Sequence, residues 1–129
     1  MTKPERPDDF PLAVSVITPA YNAANVLARA VRSVQAQTFA EWEMIIVDDG
    51  SDDDTAKLAR SLMQKEPRVR VLSHETGQGA AAARNTALQA ATGRYIAFLD
   101  ADDAWTPTKL AQQIGVMQAQ DAALSYTGF

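Results

Sequence analysis

The chain alternates short runs of β-branched and apolar residues with segments whose apolar residues recur at helical spacing. The first run, Leu12 to Thr18, is typical of a strand covered on both faces, and Pro19 is expected to end it. An amphipathic helix is predicted from about Ala23 to Gln37. The later predicted elements are a strand at Glu43–Val47, a helix from Ser51 to about Lys65, a strand at Val69–Leu72, a helix at Gly79–Ala91 closed by Gly93, a strand at Arg94–Leu99 and a helix opened by Thr106 and Pro107.

Strands separated by helices predict an α/β fold, a Rossmann-like three-layer α/β/α sandwich with a mostly parallel sheet. Ala122–Tyr126 is a candidate for a further strand. The length of 129 residues and the 47% hydrophobic content fit one domain over residues 12–129, preceded by a disordered polar tail at residues 1–11. Because the chain stops at Phe129 in an apolar stretch, we expect a longer fold cut there. An exposed apolar edge of this kind favours homo-oligomers.

Composition excludes several classes of function. The net charge of −4 argues against a general nucleic-acid binder, which needs a concentrated basic face. No apolar run approaches the ~20 residues that span a bilayer. Cysteine is absent, which removes thiolate chemistry and fits a reducing compartment. The expected location is therefore the cytoplasm, including the cytoplasmic face of a membrane.

Polar segments follow three of the predicted strands. In open parallel sheets, ligands bind beyond the carboxyl ends of the strands, where the strand order reverses. The polar segments are therefore expected to meet on one rim of the sheet. They are Thr18-Pro19-Ala20-Tyr21-Asn22, Asp48-Asp49-Gly50-Ser51 and Asp100-Ala101-Asp102-Asp103.

The carboxylates of Asp100, Asp102 and Asp103 are the strongest local signal. Oxygen ligands at the end of a buried strand suit Mg²⁺ or Mn²⁺, which would neutralise a leaving diphosphate. The plain alternative is a polar loop that caps the next helix. A haloacid-dehalogenase-type phosphatase is disfavoured, because its D-x-D pattern wants Thr or Val at the position of Ala104.

Asp49 follows the second strand, where Gly50 permits a tight turn. Its carboxylate suits a base N–H or a ribose hydroxyl, and the alternative is capping of the helix after Ser51. Asp52 to Asp54 are interpreted as cap and solvated face. Tyr21 offers a ring for base stacking, with core packing as the alternative.

Gly77-Gln78-Gly79 superficially matches a dinucleotide fingerprint but follows the third strand, so a turn into an alanine-rich helix is favoured. Arg84, one turn inside that helix, is a candidate cation for phosphate. Asn85 beside it is a candidate hydrogen-bonding support. The only histidine, His74, is expected at the surface or at a strand end. Trp42 and Trp105 are interpreted as packing residues.

Together, four segments resemble the ordered signature of family 2 glycosyltransferases over about Leu12 to Phe129. They are Pro19-Ala20-Tyr21-Asn22, Val47-Asp48-Asp49-Gly50-Ser51, Gly79-Ala80-Ala81-Ala82-Ala83-Arg84-Asn85 and Asp100-Ala101-Asp102-Asp103. The resemblance implies a GT-A fold and a nucleotide-diphospho-sugar donor, most plausibly a UDP-sugar, with Mg²⁺ or Mn²⁺. One departure is Gly77, where relatives commonly carry Asn.

The resemblance also implies roles for individual residues. The segment around Tyr21, which includes Pro19, and the carboxylate of Asp49 would hold the nucleoside. Asp100 would approach ribose or sugar hydroxyls. The metal is assigned to Asp102 together with Asp103.

Members of this family invert the anomeric centre, using an Asp or Glu base that deprotonates a saccharide or lipid-linked acceptor. Asp121 is the only carboxylate after Asp103, and it is expected between helix and strand. The base is therefore expected beyond Phe129, and the 129 residues alone are expected not to transfer sugar. A metal-dependent phosphatase or nucleotidyltransferase and a non-catalytic nucleotide-sugar-binding module remain as alternatives.

Overall fold

A computed structural model describes the backbone of residues 12–124 and the side chains of residues 13–116 and 119. The predicted tail at residues 1–11 and residues 125–129 lie outside this part. Strands and helices alternate along the described chain. The elements are β1 (Leu12–Ala20), α1 (Leu27–Gln35), β2 (Trp42–Asp49), α2 (Thr55–Lys65), β3 (Val69–His74), α3 (Ala80–Ala90), β4 (Gly93–Phe98) and α4 (Lys109–Leu124).

The four strands form one sheet in the order β3-β2-β1-β4, and every neighbouring pair is parallel. Alternate residues of each strand face opposite layers of helices. One face packs against α1, α2 and α4 around a core that includes Trp42 and Met44. The other face packs Ile17, Ile45 and Val47 against α3. The predicted three-layer α/β/α architecture is confirmed.

The sequence predicted that β1 ends at Pro19, but the strand continues past it to Ala20. Ile17 presents its carbonyl to β4, where it accepts a hydrogen bond of 3.0 Å from the Leu99 amide. Pro19, two residues later, faces the same side, but pairing with β4 stops at Ile17, whereas β2 continues alongside. The missing N–H of proline therefore points where no strand partner is needed, and the strand continues to Ala20.

The helix starts lie later than predicted. Residues 24–26 form a turn, and α1 begins at Leu27 rather than Ala23. Ser51 does not cap α2, which begins at Thr55, because the Ser51 hydroxyl instead accepts the Asn22 amide at 2.9 Å. Asp53 takes the capping role, since its carboxylate accepts the Thr55 amide at 2.9 Å. The last described helix, α4, begins at Lys109, beyond the predicted opening at Thr106 and Pro107.

Two predictions about chain ends of elements are wrong. Gly93 is the first residue of β4 and does not end a helix with a positive φ. A Cβ at this position would lie 2.6 Å from the Ser15 amide nitrogen. Glycine is therefore required here because the backbones of β4 and β1 approach closely. The predicted strand at Ala122–Tyr126 is also wrong, because α4 continues to Leu124; residues 125 and 126 lie outside the described residues. Asp121 therefore lies within a helix, and the apolar edge expected from that strand loses its basis.

A buried carboxylate of β2 joins β1, β3 and the residue before β4, at the edge opposite the carboxyl ends of the strands. Glu43 is 4% exposed, and its Oε2 accepts the Ser15 hydroxyl at 2.6 Å, the Thr92 amide at 2.7 Å and the Thr92 hydroxyl at 3.0 Å. Its Oε1 accepts Arg70 at 3.1 Å. Burial raises the pKa of Glu43, but these hydrogen bonds outweigh it and hold the pKa below its ordinary value. Glu43 is therefore a charged tie within the sheet.

Within residues 12–124, the structure contains no helix that is both long and apolar enough to cross a bilayer.

Candidate functional site

The carboxyl ends of the strands surround a cavity at the point where the strand order reverses. The chain runs outward from β1 through β2 to β3, then crosses back to place β4 on the other side of β1. In open α/β sheets the ligand crevice lies beside such a reversal, outside the carboxyl ends of the strands. Its volume is about 430 Å³. Six residues predicted as donor-binding line it: Pro19, Tyr21, Asp49, Arg84, Asp100 and Asp102.

A second cavity of about 750 Å³ adjoins the first and extends toward the ends of β2 and β3. The two share Tyr21, Asp49 and Ala80 in their linings. The second cavity is otherwise lined by Gly50, Asp52, Glu75, Thr76, Gly77 and Gly79. Together they form a trough, with Tyr21 and Asp49 at its middle. We call the part near Arg84 and Asp100 the β4 end and the part near Thr76 the β3 end.

Asp49 is held by three groups of its own chain. Its Oδ1 accepts the Gln78 amide at 2.9 Å and lies 2.7 Å from His74 Nδ1, while its Oδ2 accepts the Gly79 amide at 2.8 Å. Burial raises the pKa of Asp49, but the hydrogen bonds from Gln78, His74 and Gly79 outweigh it and lower the pKa. The side chain is therefore an oriented carboxylate at the wall of both cavities.

Asp49 holds the loop before α3 in place through its hydrogen bonds with the loop amides. Gly79, the residue before α3, has φ of 101°, which favours glycine, and its amide faces Asp49. Gly50 has φ of 73°, and a Cβ there would lie 2.5 Å from the Gly77 amide nitrogen. The Gly77-Gln78-Gly79 segment is thus the predicted turn into an alanine-rich helix, and Asp49 does not cap α2.

The sequence predicted that His74 lies at the surface or at a strand end. It is the last residue of β3 and is not at the surface. Its side chain is 10% exposed and lies between Asp49 and Thr86, with His74 Nε2 at 2.8 Å from Thr86 Oγ1. Sequence reasoning missed this contact, because the predicted strands ended too early to place Asp49 and His74 as register partners.

Tyr21 is 56% exposed, so the alternative that it packs in the core is wrong. It is presented by a left-handed turn at Asn22, whose φ is 50°. Asn22 and the loop before α2 hold one another: the Asn22 amide donates to the Ser51 hydroxyl at 2.9 Å, and Asn22 Oδ1 accepts the Asp52 amide at 2.8 Å. The two loops at the ends of β1 and β2 are thereby fixed together beneath an accessible aromatic ring.

At the β4 end, Arg84 reaches across from α3 toward the residues that follow β4. Its Nη2 lies 3.7 Å from Asp100 Oδ1, and both side chains are largely accessible. Asp102 lines the cavity, whereas Asp103 is not among the lining residues and its Oδ1 accepts the Ala104 amide at 3.1 Å. These carboxylates do not cap the next helix, because α4 begins only at Lys109. Asp48 is buried beside Asp49 and does not line either cavity.

Helix α1 holds the segment that carries these carboxylates. Arg29 donates to the Asp102 carbonyl at 3.4 Å. Gln37 is 7% exposed; its amide nitrogen donates to the Thr106 carbonyl at 2.7 Å and its oxygen accepts the Leu110 amide at 2.9 Å. Neither residue was singled out from the sequence for this contact, since it depends on how α1 packs beside the start of α4.

Comparison with known proteins identifies the family of this chain. Residues 15–129 match the family model described as Glycosyl transferase family 2, so the chain belongs to glycosyl transferase family 2. The resemblance drawn from the four segments is confirmed, and the family does not support the phosphatase or nucleotidyltransferase alternative.

Two curated relatives are longer proteins, and the match covers only part of each. The chain is 47% identical over 116 residues to the putative teichuronic acid biosynthesis glycosyltransferase TuaG of Bacillus subtilis strain 168, covering 90% of the chain and 46% of the relative. It is 42% identical over 122 residues to the UDP-Glc:alpha-D-GlcNAc-diphosphoundecaprenol beta-1,3-glucosyltransferase WfgD of Escherichia coli, covering 95% and 47%. The chain therefore spans about half the length of these relatives.

Solved structures share the GT-A architecture. The crystal structure of S. aureus TarS 1-349 in complex with UDP matches with a TM-score of 0.78 and 29% identity, over 84% of this chain and 33% of that one. The mannosyltransferase PcManGT from Pyrobaculum calidifontis, in complex with GDP-Man and Mn²⁺, matches with a TM-score of 0.67 and 28% identity, over 78% and 32%. The predicted GT-A fold class is confirmed.

Proposed function

We propose that this chain binds the nucleotide-diphospho-sugar donor of an inverting glycosyltransferase, with a UDP-sugar as the donor. The observation that carries the proposal is the trough, which brings an accessible ring, an oriented carboxylate and a cation with two further carboxylates to one rim of the sheet. Its two adjoining parts provide room for an elongated ligand with a flat end and an anionic end. The relatives named above are consistent with it, since TarS is described with UDP and WfgD as a UDP-Glc enzyme.

The nucleoside is placed at Tyr21 and Asp49. An ionised carboxylate offers about four lone-pair directions, and three of those of Asp49 are used by His74, Gln78 and Gly79. One direction on Oδ2 remains, which suits a base with a single ring N–H, such as uracil, better than one that presents two donors side by side. The exposed Tyr21 ring supplies a face for stacking.

The diphosphate is placed at the β4 end of the trough. Arg84 supplies a fixed positive charge, and Asp100 and Asp102 supply oxygen ligands. Among the described residues no group of three or more His, Cys, Asp or Glu side chains could hold an ion by itself. This donor set fits Mg²⁺ or Mn²⁺, which take one or two carboxylates and complete their coordination with phosphate oxygens and water. When bound, the ion would neutralise charge on the departing diphosphate.

The acceptor is proposed to be a lipid-linked or other saccharide, whose oxygen displaces the nucleoside diphosphate at the anomeric carbon. WfgD is named for a diphosphoundecaprenol-linked acceptor. The acceptor base is proposed to lie beyond Phe129; Asp121, the only carboxylate residue after Asp103, lies within α4. That these 129 residues alone transfer no sugar, and that they function in the cytoplasm, stay predictions.

Asp49→Asn is expected to weaken UDP binding by roughly 10-fold and to leave binding of inorganic pyrophosphate nearly unchanged, because a charged hydrogen bond to the base is lost while the β4 end is intact. Isothermal titration calorimetry of both ligands in Mg²⁺ measures the two affinities. Asp54→Asn is the matched control, since this exposed carboxylate lines neither cavity and makes no cap hydrogen bond.

If Asp49→Asn weakened the binding of UDP and of pyrophosphate equally, this carboxylate would be assigned to the diphosphate end of the trough instead. No change with either ligand would remove Asp49 from the site. Thermal unfolding of the variant separates these outcomes from loss of the loop that Asp49 holds.

A further inference from the structure

We propose that His74 and Thr86 are positioning residues that hold Asp49 with its free oxygen direction toward the nucleoside. The inference rests on the proposed function, since it takes Asp49 as the group that meets the base. It adds a partly buried hydrogen-bonded chain, Thr86–His74–Asp49, that reaches the ligand only through the last member.

His74 acts through Asp49 and not on the ligand. Its ring is 10% exposed and it lines neither cavity, whereas Asp49 lines both. The Nδ1–Oδ1 distance of 2.7 Å is that of a charge-assisted hydrogen bond. In the tautomer whose Nδ1 donates to Asp49, Nε2 is the acceptor, and the Thr86 hydroxyl lies 2.8 Å from it as the donor. Thr86 thus selects the tautomer that Asp49 needs.

The hydrogen bonds on Asp49 come from two sides. The amides of Gln78 and Gly79 approach from the loop before α3, and His74 approaches from the neighbouring strand β3. Without His74, Oδ1 keeps only one donor, and the carboxylate plane is free to rotate about the loop amides. The remaining direction on Oδ2 would then no longer be fixed toward the base.

The relay also ties both ends of the trough to one helix. Thr86 lies on α3, two residues after Arg84, and α3 is fixed on the sheet through the buried Ala83 and Ala87. The same rigid element therefore presents a cation to the β4 end and, through His74, orients the carboxylate at the middle of the trough. This arrangement sets the distance between the groups assigned to nucleoside and diphosphate.

The test uses side chains that replace one nitrogen of the ring at a time. Asparagine places its amide near the position of Nδ1 and glutamine near that of Nε2. His74→Asn is expected to keep UDP affinity within about 3-fold, whereas His74→Gln, which reaches Thr86 but not Asp49, is expected to lose roughly 10-fold, the worth of a hydrogen bond to a charged group. Thr86→Val, of matching shape, is expected to lose a smaller factor in the same direction. Pyrophosphate affinity stays near wild type in all three.

The readout is the ratio of UDP to pyrophosphate affinity, measured by calorimetry in Mg²⁺ beside Asp49→Asn. Three results would each overturn the positioning role. The first is an equal loss of affinity for both ligands in His74→Gln, and the second is an unchanged affinity ratio in both His74 variants. The third is the same affinity ratio in His74→Asn and His74→Gln. If His74→Gln does not fold, Thr86→Val carries the test, and an unchanged ratio there overturns it. If Asp49→Asn weakens both ligands equally, the proposed nucleoside placement fails; if only Asp49→Asn changes the ratio, this inference alone fails.

Discussion

Replacement of Glu43 by alanine is expected to lower the free energy of unfolding by about 3 kcal/mol, because it leaves buried donors without an acceptor. The Ser15 hydroxyl loses its acceptor in the interior of the sheet, and the partly buried Thr92 amide, just before β4, loses its acceptor as well. Arg70 adds little to the cost, since its side chain is 42% exposed and water can replace Glu43 there. Urea unfolding measures the change.

Glu41→Ala is the matched control, because Glu41 is exposed just before β2, and it is expected to change stability by less than about 0.5 kcal/mol. The pH dependence has a defined sign. The pKa of Glu43 is lowered in the folded chain from a value of 4.5, so the unfolded chain binds the proton first as the pH falls. The contribution of Glu43 is therefore complete above about pH 4.5 and declines below it. Equal stability of the Glu43 and Glu41 variants at pH 7 would contradict the tie.

Asp102→Asn is expected to remove the Mn²⁺-dependent part of UDP binding. The affinity in Mn²⁺ should fall by about 100-fold or more, since loss of even a supporting group behind a metal ligand costs roughly 10- to 100-fold. In EDTA, wild type and variant should bind UDP equally weakly. Calorimetry in Mn²⁺ and in EDTA provides the four affinities.

Asp103→Asn is the matched control for this experiment. Asp103 was grouped with Asp102 as a metal ligand on sequence grounds, but it does not line the cavity and its carboxylate accepts the Ala104 amide. A loss much smaller than that of Asp102→Asn is therefore expected. If wild-type UDP affinity were the same in Mn²⁺ and EDTA, the metal proposal would fail for both residues.

The element types were predictable because burial on both faces leaves a strong trace in sequence. Buried strands contain a continuous apolar run: Trp42–Asp49 is buried at every position and includes the apolar segment Met44–Val47. Their ends were not predictable, since Asp48, Asp49 and His74 are polar residues that continue the ladders. The end of β1 was wrongly predicted at Pro19 for a related reason. Whether a strand tolerates proline depends on which side of the strand needs an N–H donor, and that is a property of the assembled sheet.

The trough residues were predictable because parallel strands deliver whatever follows them to one rim. Pro19, Tyr21, Asp49, Arg84, Asp100 and Asp102 meet there as expected. The supporting groups were not: His74 and Thr86 lie twelve positions apart and are joined only through packing of α3 beside β3. Glu43, likewise, reads as an ordinary polar strand residue until its partners from the other strands are known.

UDP is proposed to occupy the trough at the carboxyl ends of the strands. The most direct measurement is a titration of the ¹⁵N-labelled chain with UDP in Mg²⁺, followed by amide chemical shifts. Saturable changes are predicted at Tyr21, Gln78, Gly79 and Asp102, with the amides of Glu43, Arg70 and Thr92 at the opposite edge unchanged. No saturable change at millimolar UDP, or changes centred on that opposite edge, would contradict the account.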